Sequence, residues 1–470
     1  MFKFDKAFFG TLFSLAIPII IQSLIMSSMN FIDTVMVGGL GSVSIAAVGI
    51  SNQLFFLLNF FLFGVTSGTA VFTSQYWGKK DLKGIHKVLG LGLATCSVTG
   101  ILFSAVSIVF PQFILGLYTQ DQVLIKEGLR YLPIVGVSYF FTSVTFIFAA
   151  VSRSAGQVRL PLFVNIGAVL LNTGLNVILI YGYFGIPAMG VSGSATATLI
   201  ARIFECLILV SSLYFRKAPF VSGLKNLWAF DKVLVRKFFK LCSPVILSEV
   251  FWSIGVAVYT MIYAHIGTES ITAVNITASV EGLAFVVFTG ITTACAINIG
   301  HRIGEGKDSE AFNYAMNYEL VNFLAAIVVS LLIFLSKDFI LGFFHVDHQI
   351  KAFASNLMTI LALALWVKSG NMLQSGGILR SGGDTFFALI MDATTIWIMG
   401  VPVAIIGAFV FNFSIDTLVF LLMGEELVKY LIGLYRILSK KWINNLTSKT
   451  EKKDYDLDDN DFVFEPLPEV

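Results

Sequence analysis

Asp33 sits in the string FIDTVMVGG, far inside a run of apolar residues. An ionisable group in hydrocarbon costs at least about 2.5–3.5 kcal/mol, so it calls for a partner or a function. No base lies within one helical turn of it. Further along, Asn172 and Asn176 are four residues apart and share one helix face. The string GVSGSATATLIAR then offers the hydroxyls of Ser194, Thr196 and Thr198. One carboxylate, two amides and a hydroxyl are hard oxygen ligands of the kind that suits Na+, while a lone titrating carboxylate suits H+. The same amides and hydroxyls also serve to bond helices to one another. Spacing leaves both readings open, and it does not choose among the three hydroxyls.

A second set of ionisable residues lies in apolar surroundings later in the chain: Glu249, Glu281, Lys368, Asp392, Glu425, Glu426 and Lys429. With Asp33, Arg202 and Glu205 of the first half, full ionisation leaves a net −1 in one half and −3 in the other. That much negative charge in low dielectric is either protonated or neutralised by cations. Both outcomes suit a protein that exchanges H+ or Na+ for a cationic solute. Arg202 and Glu205 are three apart and Glu425 and Lys429 four apart, so each pair is expected to form a local ion pair. Lys368 is a partner for Glu249, Glu281 or Asp392.

Other chemistries find little support. Cys96, Cys206, Cys242 and Cys295 are scattered in apolar runs without a CxxC, so they read as small buried hydrophobes. The five histidines fall at helix ends or loops and read as solvated. There is no GxxxxGK[ST], HExxH or GxSxG, so neither ATP as a power source nor an enzyme is expected, and no cofactor beyond the coupling ion. Adjacent Glu425 and Glu426 point about 100° apart on a helix and make a poor catalytic dyad. A net charge of +2 gives no nucleic-acid footprint.

The elements that must position these residues are membrane helices. The 470-residue chain is 56% hydrophobic and 13% charged, where soluble chains carry about 25% charged residues. Apolar stretches long enough to span a bilayer fall at 11–36, 46–77, 88–114, 129–152, 161–183 and 191–214, then at 237–265, 272–303, 314–336, 353–378, 386–411 and 416–438. The two sets repeat each other. At the offset that separates Pro18 from Pro244, matches hold without a gap to Gly78 and Gly304, with Gly41 on Gly267, Ala47 on Ala273 and Gly64 on Gly290. One residue further in offset, Arg153-Ser154-Ala155-Gly156 falls on Arg380-Ser381-Gly382-Gly383. Six helices per half is an even number, so both halves enter from the same side. The expected fold is an all-α integral membrane protein of twelve transmembrane helices, in two parallel six-helix lobes with pseudo-twofold symmetry along the membrane normal.

The expected divisions are an N-lobe over 1–214, a linker over 215–236, a C-lobe over 237–445 and an acidic disordered tail over 446–470. Lys and Arg concentrate in the loops on one side, including Lys79, Lys80, Arg216, Lys217, Arg302 and Lys440. The positive-inside rule then places both termini in the cytoplasm and the protein in the plasma (inner) membrane. Pro18 and Pro244 sit at matching depths in the first helix of each half. Helix-interior proline frees a backbone carbonyl and permits bending, which makes Pro18 a candidate hinge beside Asp33.

Four strings together carry a resemblance. They are IPIIIQSLIMSSMNFIDTVMVGGLGSVSIAAVGI, GTAVFTSQYWGKKD, GVSGSATATLIAR and ILRSGGDT. The chain resembles multidrug and toxic compound extrusion (MATE) transporters over about residues 8 to 445. The resemblance implies twelve helices in two six-helix lobes facing a central cavity, and export of organic cations driven by inward Na+ or H+. It carries the family's N-lobe acid onto Asp33 and the polar pair of the fifth helix onto Asn172 and Asn176. It carries the glutamate of the seventh helix onto Glu249. The aspartate that some members pair with that glutamate falls on Ser369, beside Lys368, so the resemblance does not bring a C-lobe cation site to this chain. Glu281, Asp392 and Glu425 are left as an acidic cavity of another kind. The expected protein is a monomer that binds small organic cations within the bilayer. A flippase for lipid-linked sugars or other lipids is the alternative from related folds, and its strongly cationic cavity is not what these acids suggest.

Overall fold

A computed structural model describes residues 6–344 and 346–448. Of the tail expected over 446–470, residues 449–470 lie outside these residues; Leu446 and Thr447 are instead bonded to Gln75 and Lys79 of the second helix and its following turn, because their backbone groups cap the seam between the two halves. Twelve long helices account for most of the chain: α1 Lys6–Gly38, α2 Ser42–Gly78, α3 Leu82–Val109, α4 Gln122–Ser154, α5 Arg159–Tyr181 and α6 Val191–Phe215. After the linker come α7 Lys232–Ile266, α8 Thr268–Gly304, α9 Asp308–Gly342, α10 His348–Leu379, α11 Thr385–Phe409 and α12 Ile415–Leu438. No strand occurs among the described residues. Eleven of the helices are long and apolar enough to cross a membrane. The twelfth has 24 residues, about 36 Å, and it differs in carrying Asp416, Glu425, Glu426, Lys429 and Arg436. Large apolar side chains face outward where lipid would lie, among them Phe113, Leu335 and Ile398.

Local sequence sets the helix ends. Asp81, Asp121 and Asp231 cap α3, α4 and α7, each accepting from a backbone N–H of the first turn at 2.7–2.9 Å. Gly182 closes α5 with φ 81°, a left-handed conformation that glycine adopts without strain. Two helices depart from regular α geometry. The last seven residues of α10, Leu373–Leu379, form a π-helical turn, and so do Thr395–Gly400 within α11. No such turn occurs among the described residues of the first half.

The two halves are joined along a seam whose contacts repeat. A Cβ at Gly64 of α2 would meet Ile246 of α7, and one at Gly290 of α8 would meet Ile20 of α1. Gly78 lies against the carbonyl of His301, and Gly304 against that of Gln75. Each contact is the repeat equivalent of the other. Small residues let the backbones approach closely, which is how helices associate in lipid, where burial of apolar surface gives little drive. The first helix of each half also crosses over. Phe8, Leu12, Leu15 and Ala16 of α1 are buried in the core of the second half. Their equivalents Leu234, Phe238, Leu241 and Cys242 of α7 are buried in the core of the first.

The hydrogen bonds described between the halves lie at the end where α1 begins and α12 ends. Gln75 Nε2 donates to the carbonyls of Ser381 (3.0 Å) and Asn444 (3.1 Å), and Gln75 Oε1 accepts from Leu446 N at 2.8 Å. Lys79 Nζ donates to the Thr447 carbonyl at 2.6 Å. His301 Nε2 is 2.7 Å from the Ser154 carbonyl. His301 is therefore a seam residue, against the expectation that it is solvated. The segment after α12 is a strap across this closed end.

Candidate functional site

In the first half, α1, α5 and α6 bring a polar chain together. Asn176 Nδ2 donates to Asp33 Oδ1 at 2.7 Å and to Asn172 Oδ1 at 3.1 Å. Asn172 Nδ2 in turn reaches Thr198 Oγ1 at 3.4 Å. Asn172 and Asn176 are fully buried, and Asn176 Oδ1 has no hydrogen-bond partner. Of the three hydroxyls, Thr198 is the one that joins this chain. Ser194 is buried one turn earlier on the same helix face. Thr196 Oγ1 donates at 2.8 Å to the Ser192 carbonyl of its own helix and leaves the cluster. Asp33 makes no ion pair among the described residues. The arrangement can hold a proton on the carboxyl, or gather a small cation among the Asp33 carboxylate, the free Asn176 oxygen and the Asn172 amide.

The local ion pair Arg202–Glu205 forms at 2.8 Å, and Asn165 of α5 holds the other Glu205 oxygen at 3.1 Å. Asn165, Asn172 and Asn176 thus run along α5 opposite Glu205, Arg202 and Thr198 on α6, a polar seam inside the half.

The second half handles charge differently. Lys368 of α10 pairs with Glu281 of α8. Arg380 pairs with Glu249 of α7 at 2.8 Å, with its guanidinium over the Phe63 ring of α2 at 5.5 Å. Lys429 of α12 pairs with Asp392 of α11 at 2.7 Å, which corrects the expected Glu425–Lys429 pair. Asp392 also accepts from Ser248 Oγ at 2.6 Å and Ser375 Oγ at 3.1 Å. One carboxylate therefore ties α7, α10, α11 and α12. Glu425 accepts instead from Tyr259 Oη at 2.7 Å, and Glu426 from Asn371 Nδ2 at 2.6 Å. Both glutamates lie in the field of Lys368 and Lys429. Ser369 is buried and accepts from Asn322 Nδ2 at 3.1 Å. Glu249, Glu281, Lys368, Asp392 and Glu425 thus belong to one network of alternating charge, with Ser369 beside it. Pro18 lies within a continuous α1, partly buried.

A model of the MatE family matches residues 18–178 and again 244–406. The two matches begin on the repeat prolines and together cover more than half of the chain. The chain belongs to the MATE family. Among relatives, it is 28% identical over 441 residues to the "Uncharacterized transporter YisQ" of Bacillus subtilis, covering 93% of this chain and 96% of that one. It is 24% identical over 433 residues to the "Probable multidrug resistance protein NorM" of Thermotoga maritima, covering 92% of each. A solved outward-facing multidrug resistance MATE transporter superimposes with a TM-score of 0.82 at 20% identity, covering 92% of this chain and 96% of that one. The MATE fold is thereby shown, with its two helical lobes, and the protein is a multi-pass membrane transporter. Its charged interior holds one residue that reading the sequence missed. Glu319 of α9 is buried at 7% exposure beside Gln374 and Tyr430. The signal was available, since Glu319 falls within the apolar stretch 314–336.

Proposed function

We propose that this MATE transporter is a secondary active exporter, moving amphipathic organic cations outward in exchange for inward Na+ or H+. The observation that carries the reading is Asp33, a membrane carboxylate that is bonded to the neutral amide of Asn176 and forms no ion pair among the described residues, Arg202 being held by Glu205. Such a group takes up a coupling cation, whereas a carboxylate already paired with Lys or Arg has no vacancy for one. The solute site lies towards Glu425 and Glu426, with the abundant aromatic rings supplying apolar and cation–π surface. The excess of Lys and Arg on the terminus-bearing side supports cytoplasmic termini in a plasma membrane. With that orientation the hydrogen-bonded end of the seam faces the cytoplasm. Bending of α1 near Pro18 upon cation uptake is the proposed moving step, in a protein that acts as a monomer.

The flippase alternative needs unpaired cations to hold a pyrophosphate. The membrane-embedded Lys368, Arg380 and Lys429 are each engaged by a carboxylate, which disfavours it. The test is ethidium efflux from proteoliposomes under an inward Na+ gradient and, separately, an inward proton gradient. Efflux driven by one gradient and lost in Asp33→Asn supports the reading and names the ion. Gradient-driven efflux that survives Asp33→Asn removes it.

A further inference from the structure

Among the described residues, Glu319 is a buried acid of the second half that forms no ion pair and has no lysine or arginine acting on it. It stands eleven residues into α9 from Asp308, about 17 Å along the helix. Its Oε1 has no hydrogen bond of ordinary geometry, nor do Oε1 and Nε2 of Gln374 or Oδ1 of Asn322. Gln374 is fully buried and Asn322 is 1% exposed. Each such orphan costs about 1–3 kcal/mol, and a bare carboxylate in this surrounding costs far more. A group of oxygens this buried and this short of protein partners marks a place that something cationic completes. The backbone points the same way. Gln374 is the second residue of the π-helical turn in α10, and π turns recur where a helix is distorted to build a site.

We propose that Glu319, Gln374, Asn322 and Tyr430 form a second monovalent-cation site, in the second half, that takes Na+ or a proton. It is separate from Asp33 and lies outside the Glu249 and Ser369 positions of the family's paired acids, with Ser369 contributing only through its bond from Asn322. The titratable neighbours are Cys295 on α8 and Tyr430 on α12; α10 presents the neutral Gln374. The proposal stands whichever solute is carried.

The site has a built-in reporter. Trp366 packs edge-on against Tyr430 with ring centroids 5.5 Å apart, so cation uptake at Glu319 alters its surroundings. The experiment uses purified full-length protein in the Asp33→Asn background, which silences the first site. Tryptophan emission is followed while NaCl replaces choline chloride at constant ionic strength, and separately while pH is varied at constant choline. The expected result is a saturable change in one of the two titrations. That change is absent in Asp33→Asn/Glu319→Gln and in Asp33→Asn/Trp366→Phe. Gln374→Leu, which removes an oxygen but keeps the carboxylate, shifts its midpoint by about tenfold. Glu319→Asp retains a shifted response and serves should Glu319→Gln elute as an aggregate. Silence in both titrations of Asp33→Asn overturns the site, as does a response that survives Glu319→Gln in a folded protein. Because Asp33 is already removed, either failure is distinct from failure of the exporter reading.

Discussion

The two halves share a scaffold and differ in how they treat charge. At the repeat offset, Asp33 falls on Tyr259 and Glu249 on Ser23. The first half keeps one internal ion pair, Arg202–Glu205, and leaves Asp33 among amides. The second half spends Lys368, Arg380 and Lys429 on carboxylates of other helices. A helical frame can be duplicated while its polar interior diverges, because the seam glycines and crossing helices set the frame and the inward-facing polar positions do not. The first interior leaves the Asp33 carboxylate without an ion pair, while the second ties Glu249, Glu281 and Asp392 to bases on other helices and leaves Glu319 without one.

The largest effect separating the halves is expected at the Asp33/Tyr259 pair of positions. Asp33→Asn reduces gradient-driven ethidium efflux to the leak of protein-free vesicles, while Tyr259→Phe retains most of it. Equal losses in that flux assay would erase the distinction. Next comes Lys429→Met, which leaves Asp392 buried and unpaired and costs about 3–5 kcal/mol. Thermal unfolding in detergent reads this as a large fall in Tm, and Lys429→Met/Asp392→Leu regains most of it. A milder fall, corresponding to about 2 kcal/mol, is expected for Arg202→Met, because Asn165 still holds Glu205. If Arg202→Met proves as damaging as Lys429→Met, the first half is as dependent on fixed charge as the second. The smallest effect belongs to the amides. Asn172→Ala weakens apparent affinity for the coupling ion about fivefold, measured as the half-saturating concentration in the flux assay. Thr198→Val, at the end of a long 3.4 Å contact, changes it less than that.

Bilayer thickness made the fold legible, since each crossing demands about 20 apolar residues and each of the twelve long helices overlaps its expected stretch, with ends that differ by up to seven residues. The π-helical turns were not legible, because they answer to tertiary packing rather than to local composition. Partner choice failed for Lys429 for a related reason. The four-residue rule describes helices whose far side is water, and here Asp392 of a neighbouring helix competes at the same depth and wins. Glu319 escaped notice because the apolar stretch begins at 314, which places it close to a membrane boundary. The helix in fact starts at Asp308, so Glu319 lies more than a turn deeper than the hydropathy suggests. His301, in the last turn of α8, has the look of a solvated helix end until the other half is laid over it. Thr198 became distinguishable from Thr196 only when α5 was packed against α6.

Residue 20 meets 290 while 246 meets 64, and 75 meets 304 while 301 meets 78. That reciprocity is the mark of an isologous contact, the kind made by two identical subunits about a twofold axis. The chain carries such a homodimer interface within itself, tethered by the residues between Phe215 and Lys232. Because α1 and α7 each complete the opposite core, neither half is an autonomous domain. The stable unit is the pair, and a protomer separated from its counterpart would lose part of its own interior along with the interface.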